Sequence, residues 1–117
     1  MDTPYRRGDI VLVDLEPAAG SEPGKTRPCV IVQNDIANRY SPVANIVPLT
    51  KAEHIKKWYP CVVSLGKDED GLTADSAVLC NQIRTIDVKR RVKRGLGHVG
   101  RQKMIEIDEA LRTHLGI

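Results

Sequence analysis

The chain has 117 residues, a formal net charge of +3, 41% apolar residues, only 3% aromatic residues and no Phe. That length fits one domain over residues 1–117 and leaves little room for a second. The charge alone does not mark a nucleic-acid binder, no apolar run approaches the ~20 residues needed to span a bilayer, and the core must come from Val, Ile and Leu, which suit half-buried strands.

Residues 1–9 are polar and lack the apolar centre of a signal peptide, so the expectation is a soluble, cytoplasmic protein. Residues 9–15 (DIVLVDL) read as a strand, ended by Pro17 and the Gly20–Gly24 stretch. The loop 20–28 (GSEPGKTRP) has two glycines and a proline, hence a constrained backbone. Arg27 stands at its mouth, biased to an extended conformation by Pro28. A guanidinium so placed suits bidentate capture of a phosphate, or a surface ion pair. The spacing is not that of a P-loop.

Strands follow at 28–33 (PCVIVQ) and 43–49 (VANIVPL), with short helical turns at 36–40 and 86–90. Pro48 cannot donate to a ladder, so the strand at 43–49 is expected at an edge or bulged there. Thr50 ends that strand, where a hydroxyl can donate to a phosphate or stabilise a turn. Trp58 and Tyr59, the aromatic pair of a polar stretch, either stack on a ligand or pack on the body of the protein. Strands at 60–65 (PCVVSL) and 76–86 (SAVLCNQIRTI) flank a polar turn at 66–71.

Residues 81–87 (NQIRTID) bring the amides of Asn81 and Gln82, suited to reading base edges, and an Arg84–Asp87 ion pair expected to close the fold. Residues 84–94 concentrate Arg84, Lys89, Arg90, Arg91, Lys93 and Arg94 against Asp87 alone. Such a run attracts phosphates or guards a solvated strand edge. A weaker strand lies near 92–99. Met104, Ile107, Leu111 and Leu115, with Ile105 and Ala110 beside them, then repeat at helical spacing over 101–115, before Gly116. Many short strands and one terminal helix describe a small β-barrel.

Cys29, Cys61 and Cys80 lie in apolar runs without C-x-x-C spacing and read as buried structural thiols. His54, His98 and His114 form no ligand motif, so neither a metal nor another cofactor is expected. No G-x-S-x-G or comparable nucleophile motif occurs.

The order of RRGDIVLVDLEP at 6–17, GSEPGKTRPCVIVQND at 20–35, NRYSP at 38–42, VPLT at 47–50, NQIRTID at 81–87 and IDEAL at 107–111 resembles the MazF/PemK/Kid family of toxin–antitoxin endoribonucleases. The resemblance implies an SH3-like barrel of the CcdB/PemK-like toxin fold with a C-terminal α-helix, forming a homodimer. It implies the toxin of a type II system, cleaving single-stranded RNA at short sequences without a metal and restrained by an acidic antitoxin. The family's arginine and threonine fall on Arg27 and Thr50, and its loop serine and glutamate on Ser21 and Glu22. Gln82 matches an RNA-contacting residue, and Lys25 and Asn81 complete the expected substrate-binding set. Pro23 departs from the Gln of many relatives, and the lid-like segment 51–60 varies too widely for roles to carry over.

The chemistry this implies is attack of the RNA 2′-hydroxyl on the adjacent phosphorus, with Arg27 and Thr50 stabilising the transition state. Arginine is a poor base because its pKa exceeds about 12, so Glu22 is the expected acceptor of the hydroxyl proton. Two other readings use the same features: a CcdB-like inhibitor of gyrase, and an RNA-binding barrel without chemistry.

Overall fold

The computed structural model describes residues 5–69 and 71–117. Residues 1–4, part of the segment read for a signal peptide, and residue 70, inside the expected turn at 66–71, lie outside the described residues. In chain order the elements are β1 (Asp9–Asp14), β2 (Thr26–Ile31), α1 (Asp35–Tyr40), β3 (Val43–Lys51) and a 3-10 turn at Ala52–His54. Then come β4 (Val62–Leu65), β5 (Ser76–Leu79), a 3-10 turn at Cys80–Gln82, β6 (Arg84–Asp87), α2 (Val88–Arg91), β7 (Val92–His98) and α3 (Arg101–Leu115). The fold is mainly β, as expected, with the helix at the end.

All strand pairings are antiparallel, in the order β4-β5-β3-β2-β1-β7, with β6 also on β3. The path is open, with β4 and β7 at its ends, so the barrel is a curved sheet rather than a closed ring. β3 is its axis: Ile46–Pro48 pair with β2, Val43–Ile46 with β6, and Leu49–Lys51 with β5.

This division corrects two expectations. Residues 76–86 are not one strand: only Val47 and Pro48 separate the β3 residues paired with β6 and β5, whereas Leu79–Ile83 separate their partners. The surplus chain coils into the 3-10 turn at Cys80–Gln82. Nor is β3 an edge strand. Pro48 sits at the break in its partners, where the ladder makes no demand on the N–H it lacks.

Alternation along the strands builds two cores. Ile10, Val30, Val47, Leu49, Val63, Leu65 and Val78 face inward, where Ile107, Ala110 and Leu111 of α3 cover them. Val11, Val13, Leu15, Cys29, Ile31, Ile46 and Ile86 form the second cluster, joined by Tyr5 and Val92. The helix buries a narrower stripe than its spacing implied, since Ile105 and Leu115 are about half exposed. Gly116, with φ 75°, ends it in the left-handed conformation that favours glycine. Arg7 fastens helix to sheet: Nε donates to the Val32 carbonyl at 2.8 Å and Nη2 to Asp108 at 2.7 Å.

The expected Arg84–Asp87 ion pair is absent among the described residues. Arg84 Nη1 instead donates to the Leu15 carbonyl at 2.9 Å, and Asp87 caps α2 by accepting the Arg90 N–H at 2.9 Å. Neither Trp58 nor Tyr59 is buried in the barrel. They are 47% and 53% exposed, with the Lys57 ammonium 5.4 Å from the Tyr59 ring centre.

Cys29 and Cys80 are fully buried, and burial pushes each thiol up to about 12, against the partial pull of Arg27 and Arg84 on Cys29. Cys61 is only half-buried, which corrects the reading of three buried thiols. In native protein at pH 8, a thiol reagent should therefore label Cys61 alone, with Cys29 and Cys80 reacting only after unfolding. Because both buried values are raised, stability should be intact below about pH 8.5, the unfolded cysteine value. It should then fall as pH climbs toward 12. Rapid native labelling of all three thiols would contradict this assignment.

Candidate functional site

β2 and β3 run side by side, and their neighbouring ends open a cleft of about 440 Å³. Lys25, Thr26, Arg27 and Pro28 line one wall, and Leu49, Thr50, Lys51 and His54 the next. Gly71–Ala74 before β5 and Ser76 at its start also line it, with Arg94 and Leu96 from β7. β7 reaches this position through two register shifts against β1, on either side of the Val11↔Gly95 and Leu12↔Arg94 pairs. Bulges of this kind re-aim side chains, and here they bring Arg94 and Leu96 to the opening. Gly71, with φ 80°, lies so close to the Leu96 backbone that a Cβ would meet its carbonyl.

The β1–β2 loop sets the first wall. Leu15 N–H donates to the Lys25 carbonyl at 2.9 Å, closing the loop's base. A Cβ at Gly24 would stand 2.6 Å from Glu16 Oε1, so glycine is required for that approach. Lys25 then takes φ 64°, the left-handed region, the sole non-glycine to do so among the described residues. Arg27 Nε donates to the Gly24 carbonyl at 2.9 Å and Nη1 to the Leu49 carbonyl at 3.4 Å. Two backbone carbonyls thus fix the guanidinium, while Nη2 has no protein partner among the described residues.

Thr50 pairs with Ala77 in the ladder, and its Oγ1 lies 3.3 Å from His54 Nδ1. His54 is carried by the turn following β3, which is tied to β5's approach by the Ala52 N–H donating to the Asp75 carbonyl at 2.8 Å. The other ring nitrogen, Nε2, lies 3.9 Å from the Glu53 carboxylate. The electrostatic character of the cleft is one-sided: Lys25, Arg27, Lys51 and Arg94 line it together with His54, and among the described residues no Asp or Glu does. Such a concavity concentrates anions.

A second recess, of about 110 Å³, is lined by Leu15, Glu22, Pro23, Ile46, Pro48, Gln82, Ile83 and Arg84. Glu22 belongs to this recess rather than to the cleft with Thr50, and its Oε1 accepts the Ala19 N–H at 2.8 Å. The structure thus sets Glu22 apart from Arg27 and Thr50, with the loop turning its carboxylate back on the loop's own backbone. Gln82 shares the recess, whereas Ser21 and Asn81 are exposed and line neither cavity. Among the described residues no group of three His, Cys, Asp or Glu side chains gathers in a metal-binding arrangement. Among the described residues no helix is long and apolar enough to cross a membrane.

Sequence reasoning missed His54 and Arg94. His54 follows Thr50 by four residues, across the end of β3 and the turn after it, and that nearness in sequence was the available signal. Arg94 was hidden in a basic run whose members prove to have separate duties. Arg84 holds the Leu15 carbonyl, and Arg91 holds those of Asp14 and Glu16 at 3.0 and 2.6 Å. Lys89, Arg90 and Lys93 are exposed.

Comparison with known proteins places this arrangement. Residues 6–115 match the family described as PemK-like, MazF-like toxin of type II toxin–antitoxin system. A curated relative, Endoribonuclease MazF from Staphylococcus epidermidis, is 45% identical over 112 residues, covering 96% of this chain and 92% of its own. A mycobacterial endoribonuclease solved in complex with its cognate antitoxin superposes with a TM-score of 0.78 at 28% identity, over 97% of this chain and 96% of that one. MazF from Deinococcus radiodurans shares the fold, with a TM-score of 0.81 at 24% identity, over 99% of this chain and all, 100%, of that one.

The left-handed backbone at Lys25 has a measurable consequence. A non-glycine residue there costs on the order of 1–3 kcal/mol, against about 0.5–1 kcal/mol for the extra chain entropy of a glycine. Lys25→Gly should raise stability by about 1 kcal/mol in denaturant unfolding while removing one cation from the cleft. A loss of stability would show that the lysine's contacts outweigh its backbone strain.

Proposed function

We propose that this chain, which belongs to the PemK-like, MazF-like toxins of type II toxin–antitoxin systems, is an endoribonuclease that cuts single-stranded RNA in the cleft between β2, β3 and β7. The observation that carries the reading is the cleft's lining: Lys25, Arg27, Lys51 and Arg94 without one carboxylate among the described residues, with Arg27 and Thr50 at adjacent strand ends. The names of its relatives, endoribonucleases solved alone or with an antitoxin, support the same activity.

RNA supplies its own nucleophile. The 2′-hydroxyl oxygen attacks the adjacent phosphorus, the bond from phosphorus to O5′ breaks, and the products carry a 2′,3′-cyclic phosphate and a 5′-hydroxyl. Charge builds on the non-bridging oxygens in the transition state. Arg27, with Nε and Nη1 held by the Gly24 and Leu49 carbonyls, can offer its Nη2 edge to that charge without reorganising, and the Thr50 hydroxyl can donate beside it. Preorganised donors of this kind contribute about 10²–10³-fold each. DNA is rejected because it lacks the nucleophile. Duplexes are rejected because in-line attack needs an unstacked nucleotide.

Sequence choice belongs to the neighbouring recess, where Gln82 and the loop residues Glu22 and Pro23 stand, with Asn81 and Ser21 exposed at its margin as further polar contacts. The rigid ring of Pro23 offers no amide, so base discrimination there falls to Gln82 and Glu22. The exposed Trp58 and Tyr59 can stack on bases of a bound strand for roughly 1–3 kcal/mol each. The reading includes a homodimer acting in the cytoplasm as a single toxin domain. An acidic antitoxin segment folding over the cationic cleft would neutralise it and block RNA.

Purified protein incubated with a long single-stranded RNA in EDTA should give discrete fragments ending in cyclic phosphate and 5′-hydroxyl. The all-deoxy version of the same sequence should stay whole. Arg27→Ala and Thr50→Val should each slow cleavage by about 10²–10³-fold. Intact RNA on a substrate containing most short sequences would overturn the proposal.

A further inference from the structure

The cleft holds a group that the chemistry of RNA cleavage requires and the charge-stabilising pair does not provide. Attack by a 2′-hydroxyl requires that its proton be taken up. Arg27 does not accept protons near neutrality, a threonine hydroxyl is no better, and Glu22 lies in the other recess with Oε1 engaged by the Ala19 N–H. His54 lines the same cleft as Arg27 and Thr50, is exposed to it, and stands 3.3 Å from the Thr50 hydroxyl through Nδ1. The imidazole is the side chain whose two nitrogens can take up and release protons near neutral pH.

We infer that His54 is the general base of this ribonuclease, with Nδ1 the atom that takes the 2′-hydroxyl proton. The inference rests on the ribonuclease reading of the cleft and deepens it. On this assignment the proton of the neutral ring sits on Nε2. The Glu53 carboxylate approaches Nε2 at 3.9 Å and favours a proton there, which leaves the Nδ1 lone pair facing the Thr50 hydroxyl and the cleft. With that tautomer, and without RNA, the Thr50 hydroxyl is the donor to Nδ1 at 3.3 Å. When a phosphate enters, the Thr50 hydroxyl turns to one of its oxygens, and the vacated lone pair faces the ribose.

The step balances within these groups. The O2′ electron pair forms the new bond to phosphorus as its proton passes to Nδ1. The phosphorus–O5′ bond breaks with its pair on O5′, which takes a proton from water in the open cleft. The imidazolium then returns its proton to the hydroxide that remains. The charged and titratable groups around the ring are Glu53 on its own turn, Lys51 at the end of β3, Lys25 and Arg27 at β2, and Arg94 of β7. To these is added Asp75, whose carbonyl holds the turn's first residue.

The test compares single-turnover cleavage of one oligoribonucleotide by wild type, His54→Gln and, as a matched control, His114→Gln, across pH 5–9. Thermal melts should confirm that the exposed substitutions leave the fold intact. Wild type and His114→Gln should show a rate that rises with pH and then levels. His54→Gln should lose about 10²–10⁴-fold together with that rising limb, and added free imidazole should restore part of the rate. If wild type cleaves and His54→Gln matches it, the base assignment is overturned while the ribonuclease reading stands. A slower His54→Gln that keeps the rising limb also overturns it, leaving His54 a positioning residue for Thr50. Wild type that cuts no RNA overturns the ribonuclease reading and this inference with it.

Discussion

One constraint organises the molecule: β3 has to satisfy three partners. Along nine residues, Val43–Lys51, it meets β6, β2 and β5. The change from β6 to β5 falls where Pro48 cannot donate, so the ladder loses nothing there. The chain left over between β5 and β6 has no strand to extend and coils into the turn at Cys80–Gln82. That turn places Cys80 in the inner core and Gln82 in the recess beside Pro48. The far end of β3 carries Thr50 and then the turn that presents His54. Both cavities are thus consequences of how one strand divides its pairing.

Guanidinium groups do two kinds of work in this structure, distinguished by their partners. Arg84 and Arg91 donate to the carbonyls of Leu15, Asp14 and Glu16, where β1 ends and backbone acceptors would otherwise lack partners. Arg7 joins Val32 to Asp108, sheet to helix. Arg27 sits between these cases: Nε and Nη1 are held by backbone carbonyls, and the remaining edge is open. Partial satisfaction is what makes a charged donor both fixed and available. Lysine offers no such combination, because its ammonium is a flexible point charge.

The fold was largely legible because its signals are local. Alternation marked β1 and β2, and the spacing of Met104, Ile107 and Leu111 with Gly116 marked α3 to its observed ends. What could not be read depends on register. The run 76–86 is continuous in hydrophobicity, and only its pairing with β3 divides it. Arg84 and Asp87 look like an ion pair in sequence, yet each finds a backbone partner closer to hand. The site divided the same way. Arg27, Thr50 and Lys25 meet because neighbouring strand ends meet, whereas Glu22 and Arg94 were moved by a loop turning back and by bulges in β7. Loop closure and bulges leave almost no trace in periodicity, and so the partition of polar residues between two cavities was invisible before the structure.

The way the cleft is held explains how an exposed site can still be preorganised. Thr50 is half-buried, and His54 and Lys25 lie open to solvent, so packing does little to fix their side chains. Backbone geometry does it instead. The Gly24 approach to Glu16, the left-handed turn at Lys25 and the Leu15–Lys25 hydrogen bond define where β2 begins. The Ala52–Asp75 bond defines where the turn after β3 sits. Side-chain freedom remains for the substrate to remove. A cationic lining this open to solvent meets a phosphate first through charge. Much of the ordering cost is met only when RNA is bound, which suits a site that must also admit a competing protein segment.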